Sequence, residues 1–141
     1  MTFDRLRVFQ ESTTCNLVLD VDGVLTDGKF TYTDQGKFSK TFGSHDSDAL
    51  KLLSKSTQLF VISADKRGFA ISESRIRDMN LSLLYVEADE RVGFIRELKR
   101  TAPTAFIGDS FTDVPALREA DFSLTPQNAH LLAKKQADIV S

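Results

Sequence analysis

The sequence predicts an α/β fold, a central parallel β-sheet flanked by helices, and three observations carry the prediction. Short apolar runs recur along the 141 residues. Amphipathic stretches, rather than tight turns, separate most of them, as crossover helices do in a parallel sheet. Acidic or hydroxyl residues stand within two positions of the end of three of the runs, where an open α/β sheet presents its ligand-binding loops.

Taken in order, Met1 to Thr13 is punctuated by Asp4, Arg5, Arg7 and Glu11 and reads as neither a leader nor a membrane anchor. Asn16 to Leu19 (NLVL) is the first strand, with Cys15 before it as a small core residue. Lys29 to Phe42 breaks the alternation. Its aromatics have period two at Phe30 and Tyr32, then recur at Phe38 and Phe42 around the turn signal Asp34-Gln35-Gly36, which predicts a β-hairpin flap.

Ser47 to Ser54 puts Ala49, Leu50 and Leu53 on one helical face, with His45 at the helix entry and Asp46 as its N-cap. Gln58 to Ile62 is the next strand, and Phe69 to Met79 the next helix, through Phe69, Ile76 and Met79. Leu83 to Val86 is a strand, and Val92 to Leu98 a helix through Val92, Ile95 and Leu98. Thr104 to Ile107 and Phe122 to Leu124 complete the main strands, with Asp138 to Val140 a short sixth. His130 reads as a surface helix residue, and Phe111 as packing.

Composition narrows the function. A chain of this length with 41% hydrophobic residues, 11 of them Phe, can form a core as one domain, 1–141, without disulfide or metal staples. Eighteen Lys and Arg against 20 Asp and Glu give a net charge of −2, so there is no basic field for a nucleic-acid backbone. The lone cysteine fits a reducing cytoplasm. No apolar run approaches the ~20 residues that span a bilayer.

The chemistry gathers at strand ends. Strand one leads into Asp20-Val21-Asp22-Gly23-Val24-Leu25-Thr26-Asp27, a later strand into Gly108-Asp109-Ser110-Phe111-Thr112-Asp113, and the strand between them into Ser63-Ala64. Carboxylates at the end of a buried strand are costly unless a cation compensates. An all-oxygen set from Asp20, Asp22 and Asp109 suits Mg²⁺. Zinc is excluded by the separation of His45 from His130 and the single Cys15. A carboxylate beside Mg²⁺ can attack phosphorus while a second carboxyl protonates the leaving oxygen, and Asp20 and Asp22 are suited to those roles. Ser63, the Ala64 amide and one Lys or Arg are candidates to hold the phosphoryl oxygens.

These motifs resemble the haloacid dehalogenase superfamily, over about Leu17 to Val140. D-V-D-G-V-L-T-D, the serine after a second strand and G-D-x-x-x-D are similar to its motifs one, two and four. The T-D-G, the hairpin, and Phe42 with Asp46 entering a helix resemble its capless branch, which includes the 3-deoxy-D-manno-octulosonate 8-phosphate and nonulosonate 9-phosphate phosphatases. The resemblance implies a Rossmann-like fold with no cap domain and a Mg²⁺-dependent phosphomonoesterase acting on a phosphorylated sugar acid through an aspartyl-phosphate. It implies that Asp20 is nucleophile and metal ligand, that Asp22 is general acid/base and binds metal through its backbone carbonyl, and that Asp109 completes the metal site. Asp113 becomes an outer carboxylate and Ser63 a phosphate ligand.

The motif-three lysine of the superfamily aligns with Arg91, and Lys66 is the alternative cation. Ser63-Ala64-Asp65 stands where the branch has Thr-Gly-Arg, and His45-Asp46-Ser47 where it has Arg-Asp-Gly, which makes Asp46 a candidate for substrate contact. Asp65 near a phosphate site calls for an offsetting Lys66 or Arg67. The chain ends at Ser141 without the glycine-rich basic tail common in the branch. The branch also implies a homotetramer in which the aromatic hairpin covers a neighbour's open site. The rival expectation is a weakly active or inactive oligomerising or regulatory module, as at the C-terminus of acylneuraminate cytidylyltransferases. A two-component receiver domain fits less well, because it lacks this hairpin and the late G-D-x-x-x-D.

Overall fold

The fold was obtained as a computed structural model, which describes residues 5, 7, 9 and 11–141. Much of the Met1 to Thr13 segment therefore lies outside the described residues. A six-stranded, all-parallel sheet has the order β5-β4-β1-β6-β7-β8, built from β1 (Cys15–Asp20), β4 (Thr57–Ser63), β5 (Leu83–Tyr85), β6 (Thr104–Ile107), β7 (Phe122–Thr125) and β8 (Ile139–Val140). All six residues of β1 are buried, as a central strand covered on both faces requires.

The alternation of β1 divides the core. Leu17 and Leu19 join Val61, Leu50 and Ile76 on one face, the last two from α1 (His45–Leu53) and α2 (Phe69–Asp78). Val18 joins Ile62, Phe106, Ile95, Leu117 and Ala133 on the other, under α3 (Arg91–Lys99), α4 (Val114–Glu119) and α5 (Leu131–Gln136). Among the described residues no cap domain interrupts this arrangement.

Two helices, α4 and α5, were not foreseen, because six residues are too few for a 3.6-residue period to register. His130 lies at the surface as expected, but as the N-cap of α5 and not within a helix, its side chain accepting the Leu132 N–H. At α1 the N-cap is Ser44, so Asp46 lies in the first turn and is not the cap.

The hairpin, β2 (Thr26–Thr33) and β3 (Gly36–Phe42), forms its own two-stranded sheet and adds no strand to the main one. Gly36 closes its turn at φ +109°, a conformation that glycine adopts without strain. The pairing changes register between Thr31↔Ser39 and Tyr32↔Lys37, leaving Phe38 as an extra residue in β3. Such a bulge turns the following side chains over. Lys37 and Lys40 consequently face the same way while Phe38 is thrown outward, 68% exposed. Phe42 behaves differently from the other three aromatics, since it packs against the core under β1.

The chain enters the sheet at its centre, builds outward to β5, then crosses back to β6 on the other side of β1. The strand order therefore reverses between β1 and β6, where a crevice forms at the carboxyl ends. Register brings Asp20 opposite Ile62 and Leu19 opposite Ile107, so the loops after β1, β4 and β6 emerge together.

Candidate active site

Asp20 ends β1 with a nearly buried side chain whose Oδ1 accepts the Val21 N–H at 2.9 Å. The chain then turns sharply: the Val21 carbonyl accepts the N–H groups of Val24, Leu25 and Thr26. Thr26 Oγ1 accepts those of Gly23 and Gly28, both at 3.1 Å. Thr26 thus ties the loop after β1 to the base of the hairpin. Gly23 has φ +85°, and a Cβ there would sit 1.8 Å from Asp109 Oδ2. Only glycine lets the loop after β1 approach the loop after β6 this closely.

On the second loop, Asp113 is fully buried. Its Oδ2 accepts the N–H groups of Asp109 and Ser110 and the Ser110 hydroxyl at 3.0–3.1 Å. Its Oδ1 accepts from Arg91. Arg91 opens α3 buried, and its two terminal nitrogens reach Asp20 at 3.1 Å. Arg91 is thus clamped between two carboxylates and buried, not solvated on the helix surface.

Ligand oxygens of Asp20, Asp109 and Asp113 lie within 4.8 Å of one another. Burial pushes the Asp20 carboxyl up to about 7 against the pull of Arg91, with Asp113 and Asp109 adding to the rise. Burial and then Asp113 push Asp109 up to about 6. Three clustered carboxylates, two of them bonded to a single guanidinium, leave negative charge uncompensated, and the oxygen-only donor set fits a hard divalent cation. Asp113 has its oxygens engaged by Arg91 and by three donors of its own loop, whereas Asp20 shares its oxygens with Arg91 and the Val21 N–H and Asp109 meets no side-chain donor among the described residues; Asp20 and Asp109 are the carboxylates better placed to hold a metal.

The other expected residues separate into those brought here and those not. Ser63 is buried at the end of β4, where its Oγ accepts the Asp65 N–H at 3.1 Å, and Ala64 follows with its carbonyl accepting the Lys66 N–H. Lys66 turns outward, its ammonium 6.0 Å from the centre of the Tyr85 ring, and among the described residues it forms no ion pair. Arg91, and not Lys66, therefore supplies the cation beside Asp20. Asp46 lines an apolar hollow with Leu19, Leu25, Leu50 and Ile107, which none of Asp20, Asp109 and Asp113 lines, and burial raises its carboxyl despite Arg75 and His45.

Two lysines beside the acidic loops were not foreseen from the sequence. Lys40 Nζ, from β3, lies 2.7 Å from Asp22 Oδ1 and 2.8 Å from Asp65 Oδ2, and donates to Ser72 Oγ at 2.8 Å. Lys37 Nζ meets the same Asp65 oxygen at 2.6 Å and stands 3.7 Å over the centre of the Phe30 ring. Burial alone would raise the Asp65 carboxyl, but the bonds from Lys37 and Lys40 outweigh it and hold it below its ordinary value. The charge of Asp65 is therefore offset from the hairpin and not by the expected Lys66 or Arg67. Sequence spacing conceals this, because Lys37 and Lys40 share a face only through the bulge at Phe38.

No family model matches the chain. The curated 3-deoxy-D-manno-octulosonate 8-phosphate phosphatase of Haemophilus influenzae is 32% identical over 130 residues, spanning 88% of this chain and 71% of that protein. The corresponding Escherichia coli K12 enzyme is 28% identical over 131 residues, 89% of this chain and 69% of its own. Among solved structures, the cobalt-bound form of the Haemophilus influenzae phosphatase superposes with a TM-score of 0.77 at 28% identity, covering 91% of this chain and 77% of that one. With these matches and an acidic cluster built as the sequence motifs require, the chain belongs to the 3-deoxy-D-manno-octulosonate 8-phosphate phosphatase family of the haloacid dehalogenase superfamily.

Proposed function

We propose that the protein is a Mg²⁺-dependent phosphomonoesterase that hydrolyses a phosphorylated sugar acid of the 3-deoxy-D-manno-octulosonate 8-phosphate type. The observation that carries this reading is the convergence of Asp20, Asp109 and Asp113 around one buried Arg91 at the switch point of the sheet. Asp20 attacks phosphorus and carries the phosphoryl group as an aspartyl-phosphate. Asp22 gives its proton to the departing sugar oxygen and then takes one from the water that cleaves the acyl phosphate. Arg91 faces the nucleophile and balances charge on the phosphoryl oxygens, with Ser63 and the Ala64 amide as further donors. Asp20, Asp109 and the Asp22 carbonyl would hold Mg²⁺, which supplies Lewis-acid charge neutralisation when bound.

Support for the reading comes from the similar phosphatases of Haemophilus influenzae and Escherichia coli and from the cobalt held by the first of them. The rival, an oligomerising module with little turnover, is not favoured by an acidic cluster kept complete, with Arg91 bonded to both carboxylates. A phosphate-release panel over sugar-acid phosphates, with and without Mg²⁺, tests it. Release that depends on Mg²⁺ is expected, and its absence from every member would defeat the proposal. Asp109→Ala is expected to shift the Mg²⁺ titration to at least about tenfold higher concentration, since a direct ligand is lost. An unchanged titration would place the metal elsewhere.

A single-domain, cytoplasmic homotetramer completes the proposal. Among the described residues no helix is long and apolar enough to cross a membrane. Tyr32 at 55% and Phe38 at 68% are more exposed than soluble monomers usually leave aromatics on a short ribbon, and a neighbouring subunit would cover them. Tyr32→Ser combined with Phe38→Ser is expected to reduce the sedimenting species from tetramer to smaller forms. A fully active, stable monomer of the unaltered protein at nanomolar concentration would count against the assembly.

A further inference from the structure

We infer that Lys40 is a positioning residue for Asp22, so that docking of the hairpin completes the general acid; the inference rests on the phosphatase reading above. The Lys40 side chain is 0% exposed. An ammonium is buried so completely only where carboxylates repay its desolvation. Three acceptor groups crowd its ammonium, Asp22 Oδ1 at 2.7 Å, Asp65 Oδ2 at 2.8 Å and Ser72 Oγ at 2.8 Å, and the contact with Asp22 is one of charge rather than an aligned hydrogen bond. Anchoring the hairpin to the loop after β4 and to α2 needs only Asp65 and Ser72, and the reach to Asp22 goes beyond that task.

The surroundings are shaped for this reach. A Cβ at Gly68 would lie 2.2 Å from Asp65 Oδ2, 2.7 Å from Lys40 Cε and 2.9 Å from Lys37 Cδ, so the missing side chain is the space through which both lysines pass. Asp22 Oδ1 is buried and has no aligned hydrogen bond, which leaves the ammonium as the group that steers it. With Lys40 removed, the Asp22 carboxyl loses its one fixed partner and its aim at the leaving oxygen.

A leaving-group comparison tests this role. An alkyl phosphate releases an alkoxide that must be protonated, whereas p-nitrophenyl phosphate releases a stable anion that needs no acid. Lys40→Met is expected to lose about 30-fold in kcat on an alkyl phosphate that the unaltered enzyme hydrolyses, and under about threefold on p-nitrophenyl phosphate. Asp22→Asn is expected to show the same pattern more strongly. The double variant, in which neither charge is left unpaired, should be no slower than Asp22→Asn alone, because both changes remove one function.

Equal losses on the two substrates, or losses that multiply in the double variant, would overturn the inference and leave the phosphatase reading standing. Absence of Mg²⁺-dependent release from any phosphomonoester by the unaltered protein would remove both.

Discussion

Asp20→Asn is expected to abolish phosphate release, with a loss of about 10⁴-fold or more, the scale on which removal of a covalent nucleophile acts. The fold should survive. The amide keeps an oxygen for the Val21 N–H and the shape of the side chain. Its effect on stability follows from the carboxyl being raised to about 7 chiefly by burial. A folded-state value above the ordinary 3.8 means that ionised Asp20 weighs against the metal-free fold, by an amount that grows from about pH 4 to pH 7. At pH 8 without divalent metal, the neutral amide is therefore expected to give a melting temperature equal to or above that of the unaltered protein. Phosphate release within tenfold of the original rate would exclude Asp20 as nucleophile, and a large drop in melting temperature would show that its carboxylate holds the fold.

Arg91→Ala carries the second large effect, and it should strike stability and rate together. Its guanidinium touches Asp20 and Asp113, both nearly or fully buried, and its loss leaves two uncompensated carboxylates in contact with the core. Breaking a buried pair in this way costs about 3–5 kcal/mol, on the order of 10 °C in melting temperature for a domain of this size. Loss of the positive charge at the phosphoryl group should lower kcat by about 10²- to 10³-fold as well. Arg91→Lys restores charge with a single nitrogen, so it should recover part of both losses. Lys66→Ala is the contrast, expected to be neutral because its ammonium stands at the Tyr85 ring. Two Arg91 variants indistinguishable from the unaltered protein would return the cationic role to another residue.

The strands and the acidic loops were legible because each is written locally. A run such as Leu17 to Leu19 is apolar on both faces, Asp20 follows it directly, and Asp109 follows Thr104 to Ile107 after a single glycine. Helices α1, α2 and α3 were legible in the same way, through nine or ten residues of period. Helices α4 and α5, each six residues long, gave too few turns to read, and the cap on α5 comes from a histidine, a residue type outside the usual capping set.

The choice between Arg91 and Lys66 could not be made from order along the chain. Both lie just after strands, and only the crossing of the sheet decides that the loop after β5 faces Asp20 while Lys66 turns to Tyr85. The hairpin lysines were hidden for a related reason: one extra residue at Phe38 reverses the alternation, so period-two reading separates side chains that the fold places together. Asp46 lay beside a recognisable motif, yet the start of α1 carries it into an apolar hollow. Sequence by itself determined which groups are available for phosphoryl chemistry, since strand runs and loop acids are short-range features. Tertiary structure decided which cation meets which carboxylate, because an ion pair depends on distances of a few ångströms between residues as far apart as 22 and 40, or 20 and 91.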